Sequence, residues 1–139
     1  IMQRSRLYLL VSALSGAVSV ALGAFGAHGL KKIVSPEMLV VYQTGVQYQF
    51  IHSLALLALA ILLLVPAAQA VKGLVQWSAH LMMLGIVLFS GSLYTMTFMS
   101  VSGGFPSWLG PITPIGGLAF IMGWILLMVA AFKLPMNEQ

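Results

Sequence analysis

The sequence contains no cysteine, no aspartate and only two acidic side chains in 139 residues, Glu37 and Glu138. Without cysteine there can be no disulfide, thiolate metal ligand, iron–sulfur cluster or cysteine nucleophile. Without aspartate a Ser-His-Asp triad is excluded, and two isolated glutamates give no carboxylate pair for hydrolysis. No glycine-rich loop follows a strand pattern, so a phosphate-binding loop has no support. We therefore expect no catalytic residues, and the sequence favours a protein that is not an enzyme.

Charged residues are scarce as well, at 6% of the chain against 60% hydrophobic residues. A soluble domain carries about a quarter charged residues, so a water-exposed globule of this composition would lack polar surface. The six Lys and Arg residues are scattered and form no basic stripe with interleaved aromatics, the pattern typical of nucleic-acid-binding proteins. The composition predicts an integral membrane protein with the lipid bilayer as its partner and no nucleic acid.

Four apolar stretches cover residues 7–30, 42–65, 74–99 and 112–132, each long enough for the ~20 residues that cross a bilayer as a helix. They predict an all-α, polytopic, four-transmembrane-helix bundle with short loops, forming a single domain over residues 1–139. Ser35-Pro36-Glu37 and Thr113-Pro114 each resemble a helix start, with an N-cap residue followed by proline. Residues 36–44 are expected to lie at the interface, with Gly45 permitting a bend.

The positions of the basic residues predict the orientation. One side of the membrane would receive Arg4, Arg6, Lys72 and Lys133, and the other only Lys31 and Lys32. Because cations favour the cytoplasmic side, both termini should be cytoplasmic. The alternative is a cleaved signal peptide, since two arginines precede an apolar run and residues 24–26 resemble a cleavage site. The length of the run and its many small residues favour a membrane span.

Small residues recur at intervals of seven, a spacing typical of closely packed membrane helices. The predicted seams are Ser12, Ser19 and Gly26 with Gly16 and Gly23 in the first span, Ser78, Gly85 and Ser92 in the third, and Gly116, Gly123 and Ala130 in the fourth.

Polar side chains concentrate in the predicted outer half. Thr44, Tyr48 and His52 are spaced by four and share one helix face. Two interpretations remain open: hydrogen bonds that join the helices, or an outward-facing pocket for a lipid, a quinone-like molecule or a partner segment. A channel is disfavoured because residues 54–65 hold no polar side chain. The candidate ligand- or partner-binding residues are His28, Gln43, Thr44, Gln47, Tyr48, His52, Ser90 and Tyr94.

The histidines raise two further alternatives. His28 and His52 are the only pair at matched depth for haem between facing helices, and with Glu37 they would make a two-histidine, one-carboxylate metal site. A histidine hydrogen-bonded to its neighbours is the commoner arrangement. We therefore expect no haem, no tightly held metal and no other cofactor.

The same polar segments carry a family resemblance. The motifs are GAFGAHGL at residues 23–30, QTGVQY at 43–48 leading to HSLA at 52–55, FSGSLY at 89–94 and GPITPIGG at 110–117. Together they resemble the YgdD-like family of small bacterial membrane proteins of unknown function, which has small animal transmembrane relatives. The resemblance spans nearly the whole chain and implies a four-span inner-membrane protein with no assigned reaction.

Function is therefore predicted at a general level. The residues favour an accessory or assembly factor, or a self-associating bundle, that acts through the outer polar cluster as a homo-oligomer or within a larger membrane complex. The alternative is a binder or transporter of a lipid-like or quinone-like molecule.

Overall fold

The computed structural model describes residues 2–136, and within that range it contains helices and short connections but no strand. The long helices are α1 (Met2–His28), α2 (Pro36–Leu62), α3 (Lys72–Gly85), α4 (Gly91–Ser100) and α5 (Ile112–Lys133). Short 3-10 helices occupy Leu30–Lys32, Pro66–Val71 and Ser107–Leu109. Four segments are long and apolar enough to cross a membrane: Gln3–Lys32, Pro36–Leu62, Pro66–Ser100 and Ser107–Lys133. The predicted all-α, four-span architecture is confirmed.

Side-chain hydrogen bonds mark two helix ends. The Ser35 hydroxyl accepts from the Met38 backbone N–H at 3.2 Å, with Pro36 and Glu37 in the first turn, so the predicted N-cap is confirmed. Beyond α2, the Gln69 amide donates to the Leu63 carbonyl at 2.9 Å. This bond satisfies a carbonyl that the end of the helix leaves without a partner.

The third span consists of two α-helices joined by a π-helical turn. α3 ends at Gly85, residues Ile86–Ser90 form the π-turn, and α4 continues from Gly91. The sequence predicted one regular helix over residues 74–99, and the extra residue of a π-turn leaves no signal in hydrophobic spacing. Such single turns shift the helix face that follows them and are frequent at functional sites.

Successive spans run antiparallel, as their contacts show. Tyr42 of α2 donates to the Leu22 carbonyl of α1, and Ser90 donates to the Gly45 carbonyl of α2. Ser78 of α3 donates to the Gly123 carbonyl of α5. One end of the bundle therefore holds the start of α1, the Pro66–Val71 turn and the end of α5. We call it the terminal end, and the other the opposite end.

Most residues of the predicted small-residue seams are buried where two helices meet, whereas Gly16 is half-buried with open space where a Cβ would be. A Cβ on Gly26 would meet the Tyr42 ring, and one on Gly85 would overlap the Phe120 ring. At Gly116 it would collide with the backbone at Leu88 and Phe89 in the π-turn. The helices therefore approach at distances that only glycine permits. Other seam residues are also buried: Ser12, Ser19, Ser78, Ser92, Gly123 and Ala130.

Large apolar side chains cover the outside of all four spans. Leu14 is 68% exposed in α1, Ile61 52% in α2, Val87 66% in the third span and Leu118 58% in α5. A surface of this kind would be unstable in water but matches hydrocarbon. The outer surface of the four spans is therefore suited to contact with lipid.

One local expectation was wrong. Helix α5 begins at Ile112, directly after Pro111, and Thr113 is not its N-cap. The Thr113 hydroxyl instead shares a 2.6 Å hydrogen bond with Ser92 of α4, because it faces the neighbouring helix and not its own first turn. Residues 36–44 are part of α2, which continues unbroken through Gly45. Gly45 makes room for the Tyr94 ring.

Candidate functional site

His52 lies in an aromatic contact between α2, the π-turn and α5. It is 4% exposed, and its ring stacks on Phe120 with centroids 3.5 Å apart. The Trp124 indole N–H donates to His52 Nε2 at 3.1 Å. An indole N–H can only donate, so Nε2 accepts and Nδ1 carries the proton, which it donates to the Tyr48 carbonyl at 2.7 Å. His52 is therefore a neutral imidazole with both nitrogens hydrogen-bonded.

This contact borders a lipid-facing groove of about 370 Å³. Tyr48 is 39% exposed there, and its ring lies 4.6 Å from that of Phe89 in the π-turn. The π-turn thus contributes an aromatic wall. The groove is lined by Tyr48, Ile51, His52, Phe89, Gly117, Phe120, Ile121 and Trp124.

A second polar group lies on another face of α2 and centres on Gln49, which is 5% exposed. Its amide nitrogen donates to the Ser15 carbonyl of α1 at 3.0 Å, and its amide oxygen accepts from the Tyr94 hydroxyl at 2.7 Å. Ser53 donates to the Gln49 carbonyl and contacts the Ser15 hydroxyl at 2.7 Å. The group joins α1, α2 and α4 through hydrogen bonds.

Several predicted site residues serve such internal bonds. Ser90 is fully buried and donates to the Gly45 carbonyl at 2.7 Å. Tyr94 belongs to the Gln49 group. The Thr44 hydroxyl bonds back to the Val40 carbonyl at 2.9 Å. The Ser90 and Tyr94 contacts support the first interpretation, in which polar groups join the helices, whereas the Thr44 bond lies within α2.

Gln43 and Gln47 have a different environment. Both are exposed, one helical turn apart, in a groove of about 310 Å³ between α1 and α2. Within residues 2–136 neither amide has a hydrogen-bond partner. The small residues Ser19 and Gly23 of α1 line the same groove. His28, also predicted, is exposed at the end of α1.

The eight predicted residues therefore do not line one cavity. Tyr48 and His52 face the aromatic groove with α5, Ser90 and Tyr94 lie inside the bundle, and Gln43 and Gln47 face α1. The helical period explains why the glutamines are separate. Each residue points about 100° away from the next around a helix, so Gln43 and Gln47 face away from Thr44 and Tyr48.

Sequence reasoning missed Gln49 and Trp124 as site residues. The signal for Gln49 was its place in the stripe Tyr42, Gly45, Gln49, Ser53 and Leu56, spaced by three and four and now seen to be buried. Trp124 was the single polar side chain of residues 115–132. A donor isolated in hydrocarbon requires an acceptor, and here it is a histidine on another span.

No group of three His, Cys, Asp or Glu side chains within residues 2–136 could hold a metal ion.

Four antiparallel apolar helices, joined by glycine contacts and interhelical hydrogen bonds, define a small polytopic helical membrane protein. The chain belongs to the family described as "Protein of unknown function (DUF423)", which matches residues 22–117. That segment includes Gln49, His52, the π-turn and Gly116. The predicted resemblance is confirmed.

The curated relatives are membrane proteins of similar length. UPF0382 membrane protein YwdK of Bacillus subtilis is 42% identical over 92% of this chain and 98% of its own. UPF0382 membrane protein SAB0533 of Staphylococcus aureus is 39% identical over 92% of this chain and 97% of its own. UPF0382 inner membrane protein YgdD of Escherichia coli is 40% identical over 94% of this chain and 92% of its own. No solved structure matched.

Proposed function

We propose that this protein is a non-enzymatic bacterial inner-membrane protein that self-associates through the groove between α1 and α2. The observation that carries the proposal is the pair of exposed glutamines in that groove, Gln43 and Gln47. The name of its relative YgdD supports the inner-membrane assignment.

Exposed amides have a cost in lipid, because hydrocarbon offers no hydrogen-bond partner. A glutamine side chain carries both a donor and an acceptor, so amides from two copies related by a two-fold axis satisfy each other. Amide contacts of this kind stabilise helix association in membranes by roughly 0.6 kcal/mol each, and up to about 2. A second copy of the chain is therefore the occupant that fits these groups.

The shape of the groove supports the same occupant. Ser19 and Gly23 lie along its α1 side, and Gly16, further along α1, has open space where a Cβ would be. Small residues let a helix from another molecule approach closely, where packing and not water exclusion drives association.

The test compares a double and a single glutamine variant with the parent in lipid vesicles. Wild-type protein labelled with donor and acceptor dyes should show energy transfer that rises with the protein-to-lipid ratio. The variant Gln43→Leu/Gln47→Leu should lose that transfer while melting like the parent, because it removes only exposed amides. Gln49→Leu should lower the melting temperature instead, because its amide is bonded inside the bundle.

Two outcomes would contradict self-association. One is wild-type protein that stays monomeric at every protein-to-lipid ratio. The other is energy transfer that is equal in the double variant and the parent. A different polypeptide that copurifies with the parent and is lost from the double variant would favour the accessory-factor alternative.

The aromatic groove supports a second candidate function, the binding of a lipid-like or quinone-like molecule. Its walls are aromatic rings, and Tyr48 is partly exposed within it. A planar ring can stack there, with the Tyr48 hydroxyl as donor to a carbonyl. Mass spectrometry of protein extracted in mild detergent should detect such a molecule in the parent and less of it in Tyr48→Phe. Its absence from the parent would exclude this candidate.

A further inference from the structure

The terminal end of the bundle has a groove between α1 and α3 that neither candidate function uses. Two adjoining hollows, of about 430 and 540 Å³, both include Arg4 of α1 and His80 of α3. The first continues along α1 past Arg6, and the second continues along α3 to Leu84. The two hollows meet at Arg4 and His80, and we call them together the α1–α3 groove.

The wall of the α1–α3 groove is held by a hydrogen bond between the two helices. The Tyr8 hydroxyl and His80 Nε2 lie 3.1 Å apart, with their rings edge to face at 5.6 Å. Trp77 meets His80 edge to face at 5.9 Å and is 65% exposed. The Tyr8 hydroxyl and His80 Nε2 therefore have fixed positions before any ligand arrives.

Positive charge is concentrated at the mouth of the groove. Arg4 and Arg6 are both exposed there, and Arg4 precedes Tyr8 by one helical turn. Among the described residues the one acidic side chain is Glu37, which lies next to the start of α2 at the opposite end. The two guanidinium groups thus have no carboxylate from residues 2–136 to neutralise them.

The remainder of the lining is apolar. Leu7 and Leu10 lie along the α1 side and Leu84 lies at the far end of the α3 side. Leu84 is two helical turns from Gln76, which places it about 12 Å along α3 at 1.5 Å per residue. The groove therefore changes from cationic to polar to apolar along the bundle.

We propose that the α1–α3 groove binds one anionic phospholipid, with its phosphate at Arg4 and Arg6, one acyl chain along Leu10 in the first hollow and the other along Leu84 in the second. Guanidinium groups match phosphate oxygens in fork geometry, and basic pockets between transmembrane helices bind anionic headgroups. Gln76, one turn before His80 on α3, lies level with Arg4 and adds an amide donor beside the phosphate, while His80 lies one turn deeper, beside the glycerol esters. A free phosphate would use only the mouth and would leave the apolar part empty.

Titration with defined lipids, followed by native mass spectrometry, tests this proposal on the full chain in detergent. Phosphatidylglycerol should add as one tightly held molecule, and phosphatidylcholine should bind at least tenfold more weakly. Arg4→Gln/Arg6→Gln should weaken phosphatidylglycerol binding roughly tenfold or more, since each basic residue near a membrane surface contributes appreciably. The matched control is Lys72→Gln/Lys133→Gln, which removes equal charge at the same end but outside the groove, and it should bind like the parent.

A second variant tests the apolar part without changing charge. Leu84→Trp fills the far end of the groove and should weaken phosphatidylglycerol binding while the melting temperature stays within a few degrees of the parent. Equal losses in the arginine and lysine variants would overturn the proposal, because binding would then follow net charge alone. Displacement of the lipid by an equal concentration of inorganic phosphate would overturn it as well.

Discussion

At the scale of single residues, the positions of polar atoms inside the bundle decide which side chains stabilise it. His52 and Gln49 lie three residues apart on α2, yet His52 bonds to α5 and Gln49 to α1 and α4. Each side chain connects α2 with a different part of the protein. Removal of either side chain should therefore cost stability through contacts with a different set of helices.

Trp124→Phe should lower stability by about 1 kcal/mol, because His52 Nε2 loses its donor within the membrane while the aromatic packing is kept. Thermal unfolding in detergent measures this loss. The control is Trp108→Phe at a tryptophan that is 64% exposed, which should melt like the parent. Equal melting temperatures for both variants would mean that the indole–imidazole bond contributes nothing.

Gln49→Leu should lower stability by about 1 to 2 kcal/mol, because it removes interhelical bonds and leaves the Tyr94 hydroxyl without its acceptor. Gln47→Leu is the matched control two residues away, since its amide is exposed. The difference in unfolding free energy between the two variants is the quantity to measure. A larger loss at Gln47 than at Gln49 would reverse the assignment of buried and exposed amides.

At the scale of helices, the contact between α5 and the third span depends on glycine. Gly116 has the π-turn backbone against its Cα, whereas Gly117 has only the Phe89 ring, 3.7 Å from where a Cβ would be. Of these two neighbouring glycines, Gly116 leaves no room for a side chain and Gly117 has room for a methyl group. The π-turn and Gly116 are coupled, since the backbone that would collide with a side chain at Gly116 is that of the π-turn.

Gly116→Ala should destabilise the protein by about 1 to 3 kcal/mol, the usual cost of overpacking, because the colliding atoms are backbone and cannot rotate away. Gly117→Ala should be neutral or slightly stabilising, since the added methyl group has room and alanine favours helix. Unfolding curves of the two variants give the comparison. If both variants melt alike, α5 does not approach the π-turn this closely.

Gly85→Leu and Gly123→Leu should also lower stability. The new side chain would collide with Phe120 in the first variant and with Met82 in the second.

At the scale of the whole molecule, the distribution of basic residues predicts that both termini are cytoplasmic. Single cysteines can report this directly because the chain has none. Ser102 and Ala70 are exposed and lie at opposite ends of the bundle. Gln69 is a poorer position, because its amide bonds to the end of α2.

A membrane-impermeant maleimide should label Ser102→Cys in intact cells, after access to the outer face of the inner membrane is opened, and should not label Ala70→Cys. Both should react after detergent lysis, which controls for reactivity. Labelling of Ala70→Cys alone would place the termini outside and would invert every statement about the outer half.

Much of this architecture follows from the sequence because lipid simplifies the physical problem. Long apolar stretches must be helical in hydrocarbon, because a helix satisfies all of its own backbone groups, so the spans could be predicted. The seams followed from small residues at intervals of seven, and the Ser35 cap from the local Ser-Pro-Glu pattern. The π-turn could not be predicted, because one inserted residue hardly alters hydropathy. The split of the polar set could not either, since Thr44, Tyr48 and His52 share a face whatever helix packs against it. Which neighbour meets each face is a property of the assembled bundle.

The bond between His52 and Trp124 also has a consequence for the order of events during synthesis. The indole lies 72 residues further along the chain, so at ribosomal rates it follows the imidazole by roughly 4 to 14 seconds. Until the fourth span inserts, Nε2 lacks this donor, and an unsatisfied polar group is costly in hydrocarbon. A chain cut short before α5 would keep that defect permanently. An unfinished bundle therefore differs from the completed one by an imidazole nitrogen that lacks its donor inside the bilayer.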